Sequence, residues 1–147
     1  MLVIRSLGLV LACCTQLAIA ESDPDTVQRL RTLIASDHRS DTNVSRDGAR
    51  HPLATLTFFG VRDDMTVVEM WPGSGRYYTE LLGPLLRERG TYYAANFHPS
   101  EKSFDAKPSI AYFARRNLER PDLYDKVIVT AFSDTHQLIA PPASADM

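Results

Sequence analysis

The sequence predicts an α/β fold, a doubly wound parallel sheet with two preceding helices, and three observations predict it. Residues 66–80, TVVEMWPGSGRYYTE, pass from a β-branched run through a proline–glycine turn into a helical pattern. A second β-rich run, TYYAAN at 91–96, follows that helix. A third, centred on Val127-Ile128-Val129, follows another helical pattern over 108–120. Strand and helix alternate, as in a parallel sheet with crossover helices.

The length of 147 residues suits one domain with a sizeable core. Hydrophobic residues make up 44% and charged residues 23%, and the net charge is -2. That balance is ordinary for a globular chain and offers nucleic acid no basic surface, because the sixteen Lys and Arg are scattered. Residues 1–20 read as a signal peptide. Arg5 supplies the positive start, residues 7–17 the apolar run, and Ala18-Ile19-Ala20 the small-x-small cleavage site before Glu21. An uncleaved anchor and lipidation at Cys13 are the competing readings. Cleavage leaves no membrane span and places the protein in the periplasm or outside the cell. Both cysteines, Cys13 and Cys14, fall in this segment, so the mature chain has neither a disulfide nor a thiolate.

Residues 21–60 form an N-terminal helical extension. A helix is expected over 26–36, with Val27, Leu30, Leu33 and Ile34 on one side and Asp25 as a possible N-cap. Residues 37–48 are polar and show no period. A second helix over 51–59 begins near Pro52 and stops at Gly60, with Leu53, Leu56, Phe58 and Phe59 as its apolar face. The helix over 77–86 turns Tyr78, Leu81, Leu82 and Leu85 to one side. The helix over 108–120 buries Ile110, Tyr112, Phe113, Ala114 and Leu118 and is broken by Pro121. The third strand spans 124–132, and 137–145 is a loop rich in alanine and proline.

Glu69 stands where the first strand ends, at the carboxyl edge where open α/β sheets bind ligands. The Pro72-Gly73-Ser74-Gly75 turn lets backbone approach a ligand closely, and the N–H groups of the next helix point toward it. A plain strand-to-helix turn is the alternative. The dinucleotide fingerprint is not met, for want of a third glycine in its place, and no Gly-Lys-Ser/Thr of a triphosphate-binding loop follows.

On these residues the chain resembles the class I S-adenosylmethionine-dependent methyltransferases, and more narrowly a small, exported bacterial branch of them. The family pattern is an acid followed by three glycines at alternate positions. Glu69 falls on the acid, Trp71 on the first glycine, Gly73 on the second and Gly75 on the third. Arg50-His51-Pro52, Thr57-Phe58-Phe59-Gly60 and residues 75–80 carry the same likeness, which runs from about residue 30 to the end. The resemblance implies a Rossmann-like sheet, with residues 61–147 as the N-terminal part of the class I methyltransferase fold. It implies about seven strands in the full domain; residues 144–147 look like the start of a fourth, so the chain reads as C-terminally truncated, with an open sheet edge available for self-association.

The resemblance also implies S-adenosylmethionine as cofactor. In the family an acid after the second strand takes both ribose hydroxyls; Asn96 stands there, an amide that accepts one bond and donates another. Phe97 packs either against the adenine or into the core, and Asp134, after the third strand, would meet the adenine amino group. Tyr77, Tyr78 and His51 are candidates for lining the cleft; the methyl acceptor and the catalytic base remain unassigned.

Two other classes compete with a methyltransferase-like enzyme. A non-catalytic exported binding module or relic is favoured by Trp71, by Asn96 and by export away from the cytoplasmic cofactor. An oxidoreductase half-domain requires the full glycine fingerprint and an acid after the second strand, and the sequence has neither. No metal is expected, since His38, His51, His98 and His136 lie far apart without ligand spacing.

Overall fold

The computed structural model describes residues 23–102, 104 and 106–147. The signal peptide read in residues 1–20 lies outside the described residues. The fold is a small α/β domain around a three-stranded parallel sheet in the order β1-β2-β3, with β1 at Thr66–Met70, β2 at Thr91–Phe97 and β3 at Ile128–Phe132. The register sets Glu69 opposite Ala94, Asn96 opposite Ala131 and Phe97 opposite Phe132.

Four helical segments precede the sheet where the sequence pattern predicts two: α1 (Pro24–Ile34), α2 (Asp41–Val44), α3 (Asp47–Arg50) and α4 (Pro52–Phe58). Helix α5 (Thr79–Leu86) joins β1 to β2, and α6 (Ala106–Glu119) with α7 (Pro121–Tyr124) joins β2 to β3. Tyr77 therefore lies in the turn before α5, and Tyr124 in α7 rather than in the third strand. Helix α1 is capped by Asp23, not Asp25: the Thr26 N–H donates to Asp23 Oδ1 at 2.9 Å.

Leu30 of α1, Leu81 and Leu85 of α5 and Phe113 of α6 pack with Val67, Tyr92 and Ala94 in one cluster, so these helices share one face of the sheet. Each fully buried leucine there is worth about 1.5–3 kcal/mol. Helix α6 buries Ala106, Ser109 and Phe113, a spacing of three and four residues. That corrects the expected face, since Leu118 is 81% exposed and Ala114 is exposed as well. In α4, Leu56 is buried, while Phe58 and the C-cap Phe59 are 79% and 58% exposed.

Helix α5 contains a proline at position 84. Proline has no N–H to give the carbonyl four residues back, which belongs to Glu80. The buried His38 fills that place: its Nε2 donates to the Glu80 carbonyl at 2.7 Å, and its Nδ1 is hydrogen-bonded to the Ser36 hydroxyl at 2.8 Å. A carbonyl only accepts, so Nε2 carries a proton.

The polar segment 37–48 is ordered by side chains that reach across the fold. The buried Arg39 guanidinium donates to Asp47 at 2.6 and 2.9 Å and to the Ile34 carbonyl at 3.2 Å. The Tyr77 hydroxyl donates to Asp47 Oδ1 at 2.7 Å, and Asn43 Nδ2 donates to the Gly75 carbonyl at 2.7 Å. These bonds fasten α2 and α3 to the turn after β1.

The free edge of β1 is met by the last two residues. The Val68 N–H donates to the Met147 carbonyl at 2.8 Å, and the Asp146 and Met147 N–H groups approach the Thr66 carbonyl at 2.9 and 3.4 Å. The pair of bonds bracketing Val67 has the arrangement of a parallel bridge.

Candidate ligand-binding cleft

A cleft of about 360 Å³ opens at the carboxyl end of β1. Glu69 and Met70 form its floor, the turn from Trp71 to Tyr78 one wall, and Arg46 and Arg50 of the α2–α3 region the other. Parallel strands all end on this side, so the side chains that follow β1, β2 and β3 meet there.

Glu69 is the central polar group. Its Oε2 accepts from the Thr79 hydroxyl at 2.8 Å and from the Tyr92 hydroxyl. Its Oε1 has no hydrogen-bond partner among the described residues, and the residue lines the cleft. Glu69 is half-buried, yet protein surrounds the carboxyl on most sides. Burial pushes its pKa up, and the bonds from Tyr92 and Thr79 offset part of that rise. Burial likewise drives the Tyr92 phenol well above its ordinary 10, with Glu69 adding to the effect. Behind Glu69 lies a second, apolar cavity of about 250 Å³, bounded by Thr55, Leu56, Phe59, Leu82 and Met147 among others.

Three residues of the turn have left-handed backbone: Trp71 at φ 49°, Gly73 at φ 60° and Arg76 at φ 51°. For Trp71 this conformation costs about 1–2 kcal/mol. Its indole lies at the carboxyl edge of the sheet, with ring centroids 6.5 Å from Phe97 and 5.3 Å from Phe132. Gly73 faces Ser109 of α6, whose buried hydroxyl has no partner among the described residues. Gly75 leaves room for the Arg46 guanidinium, which would stand 3.6 Å from a Cβ added there. Arg76 instead runs into the core. Its Nη1 donates to the Phe113 carbonyl at 2.9 Å and to Asn117 Oδ1 at 2.6 Å, over the rings of Phe113 and Tyr124. Burial lowers its pKa.

The structure brings Glu69, Trp71 and Gly75 together in the cleft, with Tyr77, Tyr78 and Arg50. Trp71 carries the wall over to Phe97. Asn96 is only 2% exposed: its Oδ1 accepts from the Phe97 N–H at 2.8 Å, and its Nδ2 is buried without a partner among the described residues. Asp134 is exposed on the loop after β3, where its carbonyl accepts from Gln137 Nε2, and among the described residues no hydrogen bond ties it to the cleft. His51 is exposed in a left-handed conformation and does not line the cavity.

Sequence reasoning misses Arg46, Thr79, Tyr92 and Ser109, all polar groups placed by tertiary packing. It also separates His98 from His136, whose rings stack at 3.8 Å. The signal for that pair is topological: each follows the carboxyl end of one of two adjacent strands. Among the described residues, no group of three or more His, Cys, Asp or Glu is placed to hold a metal ion, and no helix is long and apolar enough to cross a membrane. Comparison of the chain with protein-family models, with curated proteins and with solved structures gave no match.

Proposed function

We propose that this protein is a methyltransferase-like binder of S-adenosylmethionine, built on the N-terminal part of the class I methyltransferase fold. The observation that carries the reading is the free Oε1 of Glu69, presented beside a glycine turn at the carboxyl end of the first strand of a parallel sheet. The residues present fit such a ligand in two ways. Glu69 Oε1 offers an acceptor, and Trp71 with Phe97 offers aromatic surface, whereas Asn96 is buried and does not line the cleft. The cofactor, when bound, supplies an activated methyl group. The chain's own work is to hold the ligand, keep the Glu69 carboxyl poorly hydrated, and orient an acceptor within the cleft. No residue here is assigned as a base.

Asn96 and Trp71 favour a second reading, an exported binding module without catalysis. Asn96 is only 2% exposed and its Oδ1 already accepts from the Phe97 N–H, so it is not presented to a ligand hydroxyl. The Trp71 ring already covers Phe97.

Isothermal titration with S-adenosylhomocysteine tests the binding claim. The wild type is expected to bind, and Glu69→Gln and Gly73→Val are each expected to weaken binding at least tenfold. The first removes a charged acceptor worth about 1.5–3 kcal/mol per hydrogen bond. The second forces a branched residue into left-handed backbone. A folded wild type that binds no nucleoside, or equal affinity in all three proteins, overturns the proposal. Binding without methyl transfer to any acceptor supports the second reading.

A further inference from the structure

Three guanidinium groups gather around one ring. Arg39, Arg46 and Arg50 lie 5.5, 5.3 and 4.8 Å from the centroid of Tyr77, and Arg50 is also 5.9 Å from that of Tyr78. Their electrostatic situations differ. Arg39 is buried and neutralised, with Asp47 at 2.6 Å and Glu80 at 3.9 Å. Asp47 is engaged elsewhere, since it takes two bonds from Arg39 and one from Tyr77. Arg46 and Arg50 line the cleft, and among the described residues neither has a carboxylate within ion-pair distance. Among the described residues the one side-chain hydrogen bond of Arg46 is a long one, 3.4 Å to Asn43 Oδ1. Among the described residues Glu69 is the only acid lining the cavity, and its Oε2 already serves Thr79 and Tyr92.

From this arrangement we infer that Arg46 and Arg50 form a subsite for an anionic group, a carboxylate or a phosphate, on the ligand that enters the cleft. Guanidinium is weakly hydrated and presents a planar fork of donors that matches either anion. Stacking on tyrosine faces holds the forks in place without consuming their N–H donors. Arg46 is half-buried over Gly75, and Asn43, which bonds to the Gly75 carbonyl, keeps α2 and the turn at a fixed separation. Two cations without an ion-pair partner, Arg46 half-buried and Arg50 exposed, raise the local concentration of anions at the concave wall, although Arg50 also feels the Glu69 carboxyl. The anion has two possible sources, the carboxylate of an amino-acid moiety on a nucleoside ligand or an acidic group on a separate small molecule. The inference does not rest on the proposed cofactor, because inorganic anions suffice to test it.

The experiment is calorimetric and NMR titration of the full chain with inorganic phosphate and with citrate. It uses the wild type, Arg46→Gln/Arg50→Gln, Arg46→Lys/Arg50→Lys, and Arg115→Gln. Arg115 is exposed on the outer side of α6, paired with Glu119, outside the cleft. The glutamine pair is expected to weaken anion binding at least tenfold, the lysine pair to restore part of it, and Arg115→Gln to leave it unchanged. The lysine pair also guards against a simple loss of folding, which circular dichroism checks in every variant. Parallel titrations with S-adenosylhomocysteine and 5′-methylthioadenosine identify the source. If the glutamine pair weakens only the first, which alone carries a carboxylate, the subsite holds the nucleoside's own acid. If it weakens neither while phosphate binding is lost, the subsite serves a second, acidic molecule. A chain that binds no nucleoside defeats the cofactor proposal and leaves the anion titration decisive. Anion binding that is absent in the wild type, or unchanged in the glutamine pair, overturns the inference.

Discussion

The two faces of the sheet are built differently. On the face covered by α1, α5 and α6, Val67, Tyr92, Ala94 and Asn96 are each 2% exposed or less. On the other, Val68, Tyr93 and Phe97 are only half-buried, and Met70 and Ile128 are each 41% exposed. The covered face supplies the cohesion, and the cleft opens where that cover stops, at the end of β1. Substitutions on the covered face should therefore change stability, and those around the cleft should change binding.

The largest expected effect breaks the covered face. Phe113 is fully buried between α6 and the sheet, so Phe113→Ala should cost about 3–5 kcal/mol in urea denaturation. A loss under about 1 kcal/mol would mean that α6 does not close this face.

The next effect lies at its rim. His38→Ala orphans the Glu80 carbonyl opposite Pro84 and should cost about 1–3 kcal/mol. Pro84→Ala returns an N–H to that carbonyl, so the double variant should lose less than the sum of the two. Strict additivity in the double-mutant cycle would show that the two sites are not coupled.

Glu69 stands between the two regions and gives a pH signature. Burial places its folded pKa above the ordinary 4.5, so the folded chain holds this proton more tightly than the unfolded chain does. Its contribution to stability is full below about pH 4.5 and is lost as pH rises through the window up to the raised value. Glu69→Gln should remove that decline, and the stability of wild type relative to variant should fall between acid and neutral pH. Parallel profiles would show that the carboxyl is as well hydrated folded as unfolded.

The smallest effect sharpens the contrast. Phe58→Ala and Leu118→Ala, at 79% and 81% exposure, should each shift stability by no more than about 0.5 kcal/mol. A loss comparable with that of Phe113→Ala would mean that these side chains are covered in solution.

The strands were legible because Thr66, Val67, Val68 and the Val127-Ile128-Val129 run are β-branched, and the turn because Gly73 and Gly75 follow Pro72. The buried side of α6 was not, because two of its three members, Ala106 and Ser109, are small or polar and give no hydrophobic period. Helices α2 and α3 were hidden for a related reason. What orders them is Arg39 on Asp47 and Asn43 on Gly75, side-chain bonds that leave no periodic trace in the sequence. At the cleft, Glu69 could be read from its place after a strand, whereas Arg46 enters only because the α2–α3 segment folds over Gly75.

Trp71 is the only tryptophan in the sequence and is 53% exposed. Its indole borders the cleft and leans on two phenylalanines that absorb nothing at wavelengths selective for tryptophan. The molecule thus carries one intrinsic fluorophore, set at the mouth of its own cavity. A shift in emission, or protection from a soluble quencher, would report occupancy of that mouth in the unlabelled, unmutated chain, with no second indole to dilute the signal.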